Sequence, residues 1–172
     1  APRANGGGLL VVCGSYVPTT TRQLGRLTAH RHGTLVEVDV DALASDDPAG
    51  EIDRAAAAVS AVLRRRGLAV VATPRERSPG ASSLEAGARI ASALARVAGA
   101  VEPRPPVVIA KGGITAAVTL REGFGIDEAE VVGPVMPGVS YWSGEGLDYL
   151  VVPGNVGDDD LLVELVRSVV RG

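Results

Sequence analysis

The sequence is poor in aromatic residues (3%), carries one cysteine and, of its 17 basic residues, has lysine once and arginine elsewhere. With so few rings, the core must be built from Ala, Val, Leu and Ile, small side chains that suit close packing of helices on a sheet. Cys13 alone excludes an intramolecular disulfide and fits a reducing cytoplasm, the expected location. No apolar run reaches the length of a membrane span, and the opening "APRANGGG" has no signal-peptide pattern. A net charge of −3 and a pI near 5.4 argue against nucleic acid or a membrane surface as partner. Neither the P-loop pattern nor G-x-G-x-x-G after a strand occurs. Equally missing are a Ser-His-Asp order, a His/Cys metal cluster and a carboxylate pair at a recognisable spacing. The catalytic base is therefore unassigned and no metal ligand is expected.

At 172 residues the chain can bury one core. Residues 1–8, without an initiating Met, read as a linker remnant of a longer chain, and 9–172 as one domain. The continuous apolar runs Leu9 to Cys13, 68–73 and 107–110 predict strands buried on both faces, as in a parallel sheet. The alternating 34–40 predicts a strand nearer an edge, and 149–154 a last strand after the β-rich "EVVGPVMPGVSYWSGEG". Helices are predicted over 19–33 (capped by its hydroxyl residues and ended by Gly33), 52–67, 82–101, about 115–123 and the C-terminal "DLLVELVRSVV". Segment 74–81 reads as a long connection. Strand and helix alternate almost throughout. That predicts an α/β, three-layer domain with a largely parallel sheet and helices on both faces.

Three strand ends share one design: "CGSYVPTT", "AKGGIT" and "PGNVGDDD" each carry glycine and run into a helix. Parallel strands would put all three on one rim, where open α/β sheets bind ligands. Glycine lets a ligand approach the main chain, and the following helix aims its free N–H groups at it. Together they suit a phosphate.

The segments "GSYVPTTTRQ", "KGGIT", "GPVMPGVSYW" and "PGNVGDDDLLVEL", in this order and spacing, resemble the C-terminal nucleotide-binding domain of the four-carbon acid sugar kinases. The resemblance covers about Leu9 to Val170. It implies ATP, accompanied by Mg²⁺, as the nucleotide. It also implies an N-terminal domain, absent here, that binds a sugar acid such as threonate or erythronate and receives the γ-phosphate on a hydroxyl. Carried over by position, ATP contacts fall at Ser15, at Gly113, Ile114, Thr115 and Ala116, and at Gly154, with Gly112, Asn155 and Gly157 in the same loops. This chain has Val17 where the family often has serine, Ile114 where a polar residue is frequent, and Pro153 before Gly154. The fragment alone is expected to be inactive. The rival reading is a non-catalytic nucleotide- or anion-sensing module, and self-association into a homo-oligomer stays open.

Lys111, between "VVIA" and two glycines, reads as a compact cation near the phosphates. Asp158, Asp159 and Asp160 read as a cap for the last helix ahead of a Mg²⁺ site. Cys13 reads as core filler, and Tyr141 and Trp142 as packing ahead of adenine stacking. His30 and His32, two apart on a helix, do not share a face.

Overall fold

The computed structural model describes residues 2, 7–76 and 83–171. Most of the expected linker, and most of the expected connection 74–81, lie outside these residues. Seven strands form one sheet: β1 Leu9–Cys13, β2 Leu35–Glu37, β3 Leu68–Ala72, β4 Val107–Lys111, β5 Glu130–Met136, β6 Val139–Gly144 and β7 Leu147–Val152. Their order is β2-β3-β1-β4-β7-β6-β5. The pairs β2–β3, β3–β1, β1–β4 and β4–β7 are parallel, and β7–β6 and β6–β5 are antiparallel. The domain is α/β, as its alternating elements predicted.

Helices α1 (Pro18–His30) and α6 (Leu161–Arg171) cover one face, and α2 (Val40–Ala44), α3 (Ala49–Arg66), α4 (Leu84–Gly99) and α5 (Gly113–Val118) the other. The end of α5 continues as a wider helical turn over Thr119–Gly123. Strand β1 shows the division residue by residue. Leu10 and Val12 pack with Val59, Leu63 and Leu94, whereas Leu9, Val11 and Cys13 pack with Leu24, Leu27 and Leu162. All five β1 residues are fully buried. Truncating such a leucine to alanine costs about 2–5 kcal/mol.

Two local expectations need correction. The strand expected over 34–40 stops at Glu37, because the Asp39 carboxylate accepts from the N–H groups of Asp41 and Ala42 and starts α2 there. Helix α1 is opened by Pro18 at its first turn, with no side-chain cap, so its hydroxyl residues are free for other work. It ends at His30, and Gly33 lies in the following turn with φ +69°.

The parallel register sets up the rim. Ala72, Cys13, Lys111 and Val152 pair across β3, β1, β4 and β7 in one row. The segments that follow them leave the sheet side by side.

Candidate functional site

The chain leaving β1 (Gly14–Val17), the chain leaving β4 (Gly112–Thr115) and the N-terminal half of α4 (Ser83–Leu94) enclose a cavity of about 590 Å³. That volume suits a nucleotide-sized ligand. The lining includes the apolar side chains Leu84, Ala88, Ala91 and Ile114, of which Leu84 and Ile114 stand largely exposed. It also includes Gly14, Gly87, Gly112 and Gly113 and the small polar side chains of Ser15, Ser83 and Thr115.

Glycine is required where these chains meet. Gly112 has φ +113°, a conformation closed to most side chains, and a Cβ there would lie 3.1 Å from the Ser15 Cβ. A Cβ on Gly154, in the segment after β7, would lie 2.8 Å from the Ser15 Oγ and 3.3 Å from a Val17 methyl. Ser15 therefore sits between Gly112 and Gly154. The Ser15 Oγ accepts from the Val17 N–H at 3.3 Å, which tightens the turn that carries it.

Of the sequence-derived candidates, Ser15, Gly112, Gly113, Ile114 and Thr115 line the cavity, and Gly154 packs against its Ser15–Val17 edge. Gly113 is exposed, and a Cβ on it would meet nothing within 4 Å. Ala116 lies beneath: its carbonyl accepts from the Tyr149 hydroxyl at 2.8 Å and its N–H donates to Gly112, fixing the first turn of α5. Asn155 and Gly157 are exposed on the 153–158 segment without lining the cavity. Gly157 has φ +83° and lies against Leu161, so its role is in the turn.

Lys111 departs from its expected place. Its side chain is fully buried, and the ammonium donates to the carbonyls of Pro153 at 2.8 Å and Val156 at 3.3 Å. The charge is spent under the 153–158 segment, so Lys111 does not line the cavity. Burial pushes its pKa down to about 8, partly offset by the Cys13 thiol, which burial itself pushes up to about 11.

Three side chains at the site carried no signal that sequence reasoning used. Arg75, two residues after Thr73 beyond β3, donates to the Ser15 carbonyl at 2.8 Å and to the Thr73 carbonyl, and its guanidinium lies 5.7 Å from the centre of the Tyr16 ring. Thr20 and Gln23 are fully buried on α1. Thr20 donates to the Gly154 carbonyl at 3.0 Å, and Gln23 Nε2 donates to the carbonyls of Val156 at 2.9 Å and Asp158 at 2.6 Å. Buried polar residues three apart on an otherwise apolar helix face were the available clue.

The acidic run behaves as a helix start. Asp158 Oδ1 accepts from the Asp160 N–H at 3.1 Å, and Asp159 pairs with Arg22 at 2.7 Å. Tyr141 packs on one face of the sheet and donates to Asp148, and Trp142 packs on the other, both on β6 and away from the cavity lining. Among the described residues no group of three or more His, Cys, Asp or Glu side chains is placed to hold a metal.

Residues 10–162 match the family described as the nucleotide-binding C-terminal domain. The chain belongs to that family. All three glycine-bearing segments lie within the matched residues. The architecture of this nucleotide-binding C-terminal domain is shared with solved structures of low sequence identity. A Bordetella bronchiseptica protein containing a domain of unknown function, solved with bound citrate as a domain-swapped dimer, is 21% identical with a TM-score of 0.76. A Haemophilus influenzae protein assigned to a domain of unknown function is 19% identical with a TM-score of 0.77. A Salmonella typhimurium protein with a provisional tRNA-synthase name is 21% identical with a TM-score of 0.75. These alignments cover 95–98% of this chain and 41% of each of the others, so the chain spans less than half of their length. Comparison with curated proteins gave no match.

Proposed function

We propose that this nucleotide-binding domain is the ATP-binding part of a sugar-acid kinase, which transfers the γ-phosphate of ATP to a hydroxyl of a four-carbon acid such as threonate or erythronate. One observation carries the reading: Ser15 is wedged between Gly112 and Gly154 at the edge of the cavity, where three strand ends converge. Side-chain-free main chain and a serine hydroxyl suit phosphate oxygens, and the exposed apolar side chains of Leu84, Ala88 and Ile114 offer a nucleobase apolar surface to cover. Phosphoryl transfer needs positioning and charge stabilisation more than covalent help. A domain without an evident base can therefore serve it.

ATP fits the cavity by volume and by chemistry. Mg²⁺ arriving with the nucleotide would neutralise charge on the phosphates. Ser15 and the main chain of Gly112–Thr115 would hold and orient the phosphates. In this reading the base and the sugar-acid site belong to a second domain, in keeping with neighbours more than twice as long.

The test is turnover by the longer protein. ADP release should depend on a four-carbon sugar acid, and residues 1–172 alone should bind ADP weakly without turning over. A longer protein that binds ATP but phosphorylates none of a panel of sugar acids would favour the nucleotide-sensing reading.

A further inference from the structure

Four carbonyls of the segment after β7, those of Pro153, Gly154, Val156 and Asp158, accept hydrogen bonds from three side chains that are fully buried: Thr20, Gln23 and Lys111. Two of the donors come from α1 and one from the end of β4, so the segment is gripped from two elements. Among the described residues the N–H groups of Gly154, Asn155 and Gly157 have no such partner. Gln23 gives both its hydrogen bonds from Nε2, while its buried Oε1 has no partner. A buried acceptor left alone is costly. The amide is held in that sense because both facing groups are carbonyls.

We propose that Thr20, Gln23 and Lys111 are positioning residues: by drawing the carbonyls of 153–158 inward they hold Gly154 against the Ser15–Val17 edge of the cavity and leave its N–H group to face the phosphates of a bound nucleotide. This rests on the nucleotide reading above. It reassigns the lone lysine from a phosphate contact to a support for one. It also explains why a charged group is buried here, since an ammonium can grip two carbonyls at once.

The experiment uses the chain of residues 1–172, ADP and adenosine by calorimetry, and amide NMR of the unliganded protein. Thr20→Val keeps the shape of the side chain and deletes the hydroxyl, so it should weaken ADP by about 2- to 12-fold, the range for one neutral hydrogen bond. Adenosine, which has no phosphate, should bind as before, and Thr20→Ser should restore ADP affinity. Lys111→Met should cost more, on the order of 10- to 150-fold for ADP. In both weakened variants the amide signals of Gly154, Asn155 and Gly157 should shift or exchange faster, while those of β4 and β7 stay protected. Equal losses for ADP and adenosine, or unchanged 154–157 amides, would overturn the proposal. If Lys111→Met fails to fold, Thr20→Val and its serine rescue decide alone. If the parent binds neither ADP nor ATP, the nucleotide reading falls. The amides then decide whether the three donors still set the segment.

Discussion

The Ser15 hydroxyl occupies the space a side chain on Gly154 would need, 2.8 Å from where its Cβ would begin. Two segments separated by most of the chain thus share one van der Waals boundary, and substitutions at either should be felt at the other.

Gly154→Val should therefore displace Ser15 and Val17 together. The expected result is loss of measurable ADP binding with a fold penalty of about 1–3 kcal/mol, the usual range for overpacking. Calorimetry and urea unfolding check the two parts. A variant that binds ADP like the parent would remove this segment from the site.

Gly113 separates ligand effects from fold effects. A Cβ there meets nothing within 4 Å, so Gly113→Ala should leave stability within about 0.5 kcal/mol of the parent. Gly113→Val should block ADP by filling the cavity edge. Gly112→Ala is the contrasting case, because φ +113° and the nearby Ser15 should cost about 1–3 kcal/mol. Equal unfolding midpoints for the two alanine variants would contradict the assignment of strain to Gly112.

Stability should change with alkaline pH in two opposed ways. Lys111 has its pKa lowered from 10.5 to about 8, so the unfolded chain binds the extra proton between those values and stability rises with pH across that window. The full effect is roughly 3 kcal/mol at most, and smaller because the two carbonyl acceptors favour the ammonium. Cys13 has its pKa raised from 9.0 to about 11, so its contribution is present below pH 9 and is lost as pH rises through 11. Urea unfolding of Cys13→Ala should show the rise alone from pH 8 up to pH 10, above which buried Tyr149, its pKa pushed up by desolvation, takes stability away. Lys111→Met in the same background should flatten it.

Arg75→Lys should loosen the chain leaving β1. Lysine cannot hold the Ser15 and Thr73 carbonyls with one planar fork. The expected outcome is a several-fold loss of ADP affinity, about 1 kcal/mol, with a stability change no larger. Calorimetry and urea unfolding read both.

The parallel sheet was legible because β1, β3 and the first four residues of β4 are uninterrupted apolar runs, a pattern that needs cover on both faces. The shared rim was legible for the same reason, since parallel strands must end together. The end of β2 was not: Asp39 is one polar residue in an alternating stretch, and only its hydrogen bonds to Asp41 and Ala42 show that it caps a helix. The loops that carry Ser15, Gly112 and Thr115 were legible in local sequence because glycine beside a strand end advertises itself, and Ser15 and Thr115 were singled out within them by the family resemblance; all three line the cavity. The partnership of Lys111 with Thr20 and Gln23 was not found, because it joins residues about 90 positions apart through a third segment. A lone lysine next to glycines announces a special environment without saying which atoms it serves.

The helices α4 and α5 line the two sides of the cavity with their N-terminal halves, yet they touch most intimately at their other ends. A Cβ on Gly99 would fall 2.0 Å from the Gly123 carbonyl oxygen, and one on Gly123 would fall 2.5 Å from that of Ala95. The pair works like a set of callipers closed at the pivot. From Gly99 back to Leu84 is roughly 22 Å at 1.5 Å per residue, so a small separation at the pivot is carried to the jaws that meet the ligand. A methyl group placed on either glycine should therefore alter the width of the cavity from its far end, without touching anything held inside.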